Sequence, residues 1–187
     1  MQLFRPFIPS LAMLLLASTG GRPQGVLIDK SEIRFACRQM GASVEGRFRR
    51  WKANVDFRPK ALAKSKADFE IDLSTIDLAN DEFESEAKRP RWFDTAKFPL
   101  GTFQSTAIKA LEDDRYEIAG RLTLKGNTRD CTIPVELTRD AAGNTVAAGQ
   151  FTFKRLDYRI GDGPWSDPSV VADDVIVRVR MVLPRVA

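Results

Sequence analysis

The sequence predicts an all-β fold in which eight antiparallel strands close into a single barrel. Between residues 28 and 183, eight runs alternate apolar and polar residues, which is the pattern of strands with one buried face. Only one short interval, between the third and fourth strands, has the composition of a helix. The chain has 187 residues, 43% of them hydrophobic, which is enough for one domain with a sizeable core. Because the strands are short and many, closure into a barrel is favoured.

The first 25 residues differ from the rest and predict a secretory signal peptide. Arg5 gives the N-terminal region a positive charge, and residues 7–17 (FIPSLAMLLLA) form an apolar stretch. Residues 17–20 are small, as a signal-peptidase cleavage site requires. A membrane anchor is the alternative, but the apolar stretch is shorter than the ~20 residues that a spanning helix needs. We therefore expect residues 1–25 to be removed, and a barrel domain of residues 26–187 to act in the periplasm.

The first two predicted strands contain a reversal of the inward face. The inward residues of the first strand are Ile33, Phe35 and Cys37, and the second strand begins with Val44, Gly46 and Phe48. From Trp51 the parity changes, and the inward residues become Trp51, Ala53, Val55 and Phe57. A β-bulge near Arg49 and Arg50 explains this, because one extra residue moves every later side chain to the other face.

The third strand and the helical interval follow. The inward residues of the third strand are Ala67, Phe69, Ile71 and Leu73, with charged residues between them. In the helical interval Asn80 is a suitable N-cap, acidic residues follow it, and Lys88 and Arg89 precede Pro90, which stops the helix.

Five further strands complete the barrel. The fourth runs over residues 100–110 and the seventh over residues 145–160. The inward residues of the fifth are Tyr116, Ile118, Gly120, Leu122 and Leu124, and those of the sixth are Cys131, Ile133, Val135 and Leu137. The inward residues of the eighth are Val175, Val177, Val179, Met181 and Leu183.

Residues 161–165, which end in Trp165, are predicted to form a loop at one rim of the barrel. Trp165 either guards the entrance to the interior or plugs this end of the barrel.

Two cysteines and one basic group are the remaining features of note. Cys37 and Cys131 fall on the first and sixth strands, which are not neighbours in a meander, so two separate buried thiols are favoured over a disulfide. Arg47, Arg49, Arg50 and Lys52 form the densest basic group. This group is either an ordinary solvated exterior or a surface that favours an anionic membrane or head group.

The residue types exclude most catalytic chemistry. The chain has no histidine, which removes the usual Ser-His-Asp and Cys-His mechanisms and any histidine-bearing zinc site. No glycine-rich phosphate loop opens a helix. The carboxylates face outwards on the predicted strands, where no water-excluded pocket is available. We therefore expect no enzyme, no metal, no cofactor and no nucleic-acid partner.

The predicted interior combines small and aromatic residues. An eight-stranded barrel is just wide enough for its own side chains or for one small ligand. Small residues leave space and aromatic rings suit an elongated apolar ligand, but the same mixture can build a filled core. This pattern leaves the two alternatives open. The residues that would line a ligand cavity are Phe35, Phe48, Trp51, Phe57, Phe69, Tyr116, Leu122 and Trp165.

Five stretches in order resemble the YceI-like family of polyisoprenoid-binding proteins. They are residues 31–35 with 44–48 (SEIRF, VEGRF), 71–76 (IDLSTI), 92–105 with WFD, FP and FQS, 116–126 (YEIAGRLTLKG), and 155–165 (RLDYRIGDGPW). The resemblance covers roughly residues 27–183. Many members carry a histidine after the first strand, where this chain has Arg38, Gln39 and Met40. Head-group recognition is therefore expected to differ.

The resemblance implies a lipocalin-like, exported barrel that holds a long isoprenoid chain, such as that of a quinone or a polyprenyl phosphate. It implies an isoprenoid lipid as partner and supplies no catalytic residues. A transient membrane contact and a homodimer stay open. The alternative function is a stress-response or partner-binding module with a filled barrel and no lipid.

Overall fold

The computed structural model describes residues 25–185, and within them ten strands and one α-helix. The strands are β1 (Glu32–Gln39), β2 (Ala42–Phe48), β3 (Trp51–Asp56), β4 (Lys66–Asp72), β5 (Ile76–Asp77), β6 (Leu100–Ala110), β7 (Arg115–Leu124), β8 (Asn127–Arg139), β9 (Thr145–Lys154) and β10 (Asp174–Leu183). The helix is α1 (Asp81–Ala87). Apart from its last residue, the predicted signal peptide lies outside the described residues. No helix in residues 25–185 is long and apolar enough to cross a membrane.

The ten strands form one antiparallel sheet in the order β3-β4-β6-β7-β8-β9-β10-β1-β2-β5. Its two ends are joined because β2 leads directly into β3 and β4 leads into β5. Across the two interruptions, the Arg49 amide donates to the Thr75 carbonyl at 3.0 Å, and the Asp72 amide donates to the Arg50 carbonyl at 3.0 Å. The ten segments therefore act as eight strands of a lipocalin-like barrel, and the predicted fold class is confirmed.

The parity reversal at Arg49 and Arg50 lies where the bulge was predicted, between β2 and β3. The opposite strand is interrupted as well, which the sequence analysis missed. Leu73–Thr75 form a 3₁₀ turn between β4 and β5, and the Asp72 carboxylate accepts from the Ser74 amide at 3.0 Å. Short polar side chains such as Asp72 compete with the sheet for backbone hydrogen bonds, which explains why the strand stops there.

The seventh strand is shorter than the sequence predicts. It was expected to reach residue 160, but β9 ends at Lys154 and a 3₁₀ helix (Arg155–Tyr158) follows. Arg159 then adopts a left-handed conformation, with φ of 56°. The chain leaves the sheet because Arg155 turns inward and binds backbone carbonyls, as described below.

The predicted helical interval is confirmed as α1, which lies at one end of the barrel. Its Asn80 side chain accepts from the Phe83 amide at 3.0 Å, as expected for an N-cap. Strand alternation places the β1–β2 turn, the β7–β8 turn and residues 155–173 at the same end, called here the α1 end. Residues 57–65 and the turns before β7 and β9 lie at the opposite end.

Both cysteines are free and partly buried, so the prediction of two separate thiols is confirmed. Burial raises the pKa of Cys131 to about 11. Burial also raises the pKa of Cys37, and the positive charge of Arg155 offsets part of that rise. Both thiols are therefore protonated and weakly reactive at neutral pH.

Candidate functional site

The barrel contains two cavities along its length. The larger, of about 400 Å³, lies at the α1 end and is called the outer cavity. The smaller, of about 110 Å³, lies towards the opposite end and is called the inner cavity. The outer volume falls within the range of small-molecule sites, whereas the inner volume is below it. The inner cavity alone is therefore too small for a drug-sized ligand.

The two cavities meet at a belt of apolar side chains, called here the waist. The residues that border both cavities are Ile33, Ile71, Leu122, Phe151 and Val177. Because these residues come from five different strands, they surround the hollow on several sides. The two apolar cavities therefore adjoin at the waist, one beyond the other along the barrel.

Seven of the eight predicted lining residues border one or both cavities. Those at the outer cavity are Phe35, Phe48 and Trp165, those at the inner cavity are Phe57, Phe69 and Tyr116, and Leu122 belongs to the waist. Trp51 borders neither cavity. It pairs with Ile71 directly after the interruption between β2 and β3, at the place where the barrel wall bends.

The inward glycines do not create the hollow, contrary to the expectation that small residues leave space. A Cβ atom on Gly46 would meet the ring of Phe35, and one on Gly120 would meet the ring of Phe103 and lie 2.6 Å from the Gln104 carbonyl oxygen. The rings fill the space that each glycine leaves on the neighbouring strand. Gly120 is therefore a packing position, where a larger side chain would clash with the neighbouring strand.

Replacement of Gly120 by Ala should lower the free energy of unfolding by about 1–3 kcal/mol, because the added methyl overlaps Phe103 and approaches the Gln104 carbonyl. Urea denaturation measures the change. Arg121→Ala, at the next position on the exposed outer face, is the control and should cost less than about 0.5 kcal/mol. Equal stability of Gly120→Ala and the wild type would contradict this packing.

Several lining residues were missed by the sequence analysis. Phe151 and Phe153 on β9 line the outer cavity, and their alternation with Gln150, Thr152 and Lys154 was a sufficient signal. Phe83 on α1 and Phe93 after it also line this cavity, but only the tertiary structure places the helical segment over the barrel. Phe93 packs edge-on against Phe48, with ring centroids 6.1 Å apart.

Arg155 is the most buried charged residue of the described chain, with 1% of its surface exposed, and it lines the outer cavity. Its guanidinium donates five hydrogen bonds, at 2.6 to 3.0 Å. The acceptors are the backbone carbonyls of Ile160, Gly161, Trp165, Val171 and Ala172. Burial lowers its pKa, but an arginine stays protonated at neutral pH. All five N–H groups are therefore used within the protein.

These bonds hold the loop of residues 155–173 at the α1 end. Arg155 fixes the Trp165 backbone, and the Trp165 ring packs on Trp92 with centroids 5.7 Å apart. The Arg155 guanidinium in turn lies 5.9 Å from the centre of the Trp92 ring. Trp92 and Trp165 thus form an aromatic pair that borders the outer cavity. Arg155 holds this pair in place through its contacts with both residues.

The charged residues around the outer cavity are balanced in sign. Apart from Arg155, the charged lining residues are Glu82, Glu86 and Arg89. Arg89 forms an exposed ion pair with Glu86 at 3.1 Å. Among the described residues, no group of three Cys, Asp or Glu side chains is arranged to hold a metal ion.

The predicted basic group lies on the outer face of the barrel. Arg47 and Arg49 both bind the Asp77 carboxylate, at 2.9 and 3.1 Å, and Arg50 binds Asp72 at 2.9 Å. Hydrogen bonds from Arg49 and Arg47 hold the pKa of Asp77 well below its usual range. Two carboxylates therefore offset part of the positive charge of this group.

An antiparallel barrel with apolar cavities in its interior and one end partly covered defines a lipocalin-like barrel protein. The model of the YceI-like domain matches residues 26–183. The chain therefore belongs to the YceI-like family.

Relatives of known sequence and structure agree with this assignment. The chain is 27% identical over 149 residues to a UPF0312 protein of Vibrio parahaemolyticus, which covers 77% of this chain and 78% of that protein. It is 29% identical over 133 residues to protein YceI of Salmonella arizonae, which covers 68% and 69%. BcnA of Burkholderia cenocepacia has a TM-score of 0.81 and 31% identity, covering 85% of this chain and 99% of BcnA. A polyisoprenoid binding domain from Saccharophagus degradans shares the fold, with a TM-score of 0.69 and 16% identity, covering 87% and 100%.

Proposed function

We propose that this protein is an exported periplasmic carrier or buffer that holds a long polyisoprenoid lipid inside its barrel. The two apolar cavities, which adjoin at the waist along the length of the barrel, carry the proposal. A linear, flexible chain fits this shape better than a compact ligand does. The binding of a polyisoprenoid by the Saccharophagus domain, which has the same fold, supports the same ligand class here. The predicted signal peptide supports export.

The energetics favour exchange rather than permanent storage. Burial of apolar chain is worth ~0.8 kcal/mol per CH₂ relative to water, so a polyisoprenoid is never free in solution. Its alternative is the bilayer, which buries the same groups to a similar extent. Transfer between membrane and barrel is then nearly balanced, which suits a carrier or buffer. The role is one of binding without catalysis, and the lipid is cargo of the quinone or polyprenyl phosphate type.

Extraction of the protein tests this function. Protein purified from its native host and extracted with organic solvent should yield one class of isoprenoid lipid in near-stoichiometric amount by mass spectrometry. Val44→Trp places an indole in the outer cavity and should remove most of the lipid. Glu45→Trp is the matched control, because the next residue on the same strand faces solvent, and it should retain the lipid.

The alternative function, a stress-response or partner-binding module with a filled barrel, predicts a different result. In that case the extract contains no isoprenoid, and Val44→Trp and Glu45→Trp behave alike. Absence of lipid from the native protein, together with failure of the purified barrel to take up isoprenoid from vesicles, would reject the carrier role.

A further inference from the structure

Three arginines lie side by side on the outer wall of the barrel, on the adjacent strands β10, β1 and β2. In the sheet register Arg34 of β1 is directly opposite Arg178 of β10, and on its other side it is directly opposite Arg47 of β2. Like charges that face one another across strands destabilise a sheet. The needs of folding therefore do not explain these three residues, which are called here the arginine row.

Carboxylates neutralise only part of the charge around the arginine row. Arg34 pairs with Glu32 at 2.8 Å, but the Arg178 guanidinium donates to a neutral amide side chain. Arg180, two residues further along β10, donates to a backbone carbonyl. Within residues 25–185, no carboxylate lies at ion-pair distance from Arg178 or Arg180. The Asp77 carboxylate described above is itself shared by two arginines, so this face has an excess of positive charge.

The arginine row is open to solvent. The side chains of Arg34 and Arg47 are 56% and 59% exposed, and none of the three arginines borders either cavity. A small anion on such a convex wall would stay hydrated, and single exposed ion pairs contribute little. An extended anionic surface, by contrast, can contact all three guanidinium groups at once.

The β1–β2 hairpin also lines the outer cavity and has an exposed methionine at its tip. Its inward residues Phe35, Cys37 and Val44 border the outer cavity. Its two turn residues at the α1 end, Met40 and Gly41, both have positive φ, 49° and 83°. Asn-Gly is the preferred pair in such a turn, and Met40 is 80% exposed. Neither turn geometry nor burial calls for a methionine here, whereas an apolar tip beside cationic residues suits a bilayer interface.

Resting on the carrier function proposed above, which requires contact with a bilayer, we infer that this face docks on a membrane that contains anionic phospholipids. The arginine row binds lipid phosphate groups through charge-assisted hydrogen bonds, for which the guanidinium fork is suited. Met40 enters the interface at the α1 end. The outer cavity is then held beside the bilayer, because the hairpin that docks is also part of the cavity wall.

Cosedimentation of the mature protein with vesicles tests this docking surface. The wild type should bind vesicles of equimolar phosphatidylglycerol and phosphatidylcholine, bind pure phosphatidylcholine much more weakly, and lose affinity as sodium chloride is raised. Arg34→Gln combined with Arg178→Gln should weaken binding to the mixed vesicles about tenfold or more, since each arginine near an anionic surface contributes about fivefold. The melting temperature should not fall, because the double variant removes facing like charges.

A charge-matched variant separates the arginine row from net charge. Arg121→Gln combined with Lys109→Gln removes the same charge from exposed positions on β7 and β6, on the far side of the barrel. These positions are beyond the screening length from a membrane docked at β1, so affinity should stay within about twofold of the wild type.

A second pair of variants tests the apolar tip. Met40→Asn should weaken binding to the mixed vesicles about fivefold or more, because it removes the inserted side chain, while the preferred Asn-Gly pair keeps the turn. Leu111→Asn is the matched control, since Leu111 is 49% exposed at the opposite end of the barrel, and it should bind like the wild type.

Equal loss of binding in the two charge variants would show that net charge alone acts, and it would overturn the docking surface. Binding of the wild type to heparin but not to the mixed vesicles would assign the arginines to an anionic polymer and would overturn it as well. Both results leave the extraction of lipid from the native protein, and so the carrier function, in place. Absence of isoprenoid from that extract, with the vesicle results as expected, would reject the carrier function and keep the docking surface, so the two failures are distinguishable.

Discussion

Arg155→Met should lower the free energy of unfolding by about 4 kcal/mol or more, as measured by urea denaturation. The substitution keeps an apolar stem but removes five donors, and it leaves five backbone carbonyls at the α1 end without partners. Each buried acceptor that loses its donor costs about 1–3 kcal/mol, although entry of water limits the sum. Because a domain of this kind is stable by only about 5–15 kcal/mol, the loss is a large fraction of the total.

Arg159→Met is the matched control, because Arg159 is an exposed arginine of the same loop, and it should change stability by less than about 0.5 kcal/mol. Arg155→Lys keeps the charge but offers three N–H groups in a different geometry, so it should restore only part of the loss. Arg155→Met with nearly wild-type stability would show that the carbonyls are satisfied without the guanidinium.

Ala147→Phe should shorten the isoprenoid tail that the barrel accepts. Ala147 borders the inner cavity and lies between Leu137 and Met181, so a phenyl ring at this position fills the space beyond the waist. In the wild type, partition between phosphatidylcholine vesicles and the barrel should change little with tail length until both cavities are occupied, since bilayer and barrel bury each added unit to a similar extent. In Ala147→Phe the affinity should begin to fall at a shorter tail, and long tails should bind about tenfold more weakly or worse, because the units that no longer fit are buried only in the bilayer.

The control for this series is Ala148→Phe, one position further along β9, where the side chain is exposed. It should reproduce the length dependence of the wild type in the same vesicle-partition measurement. Identical length dependence in Ala147→Phe and Ala148→Phe would show that the tail does not enter the inner cavity. Unchanged binding of short tails by Ala147→Phe would show that the outer cavity is intact.

The local pattern of the sequence was sufficient to predict most of the strands that form the wall of the barrel. Period-two alternation identified the inward residues on most strands, because a pleated strand with one buried face leaves this signature directly in the sequence. The parity change at Arg49 and Arg50 placed the bend between β2 and β3, and Asn80 and Pro90 bounded the segment of α1. The predicted end of β9 was wrong. In the sequence Arg155 is an ordinary charged residue that would be expected to face solvent, and only the structure shows that it binds buried backbone carbonyls.

Residue types and short-range period were enough to predict the fold class, the inward side chains of most strands and the absence of histidine chemistry. The presence of cavities in the interior, and their positions, depended on tertiary packing. The space beside Gly120 is filled by Phe103 from the neighbouring strand, whereas the space beside Ala147 remains open. Volume depends on how side chains from distant parts of the chain meet across the barrel, and no local pattern records that meeting.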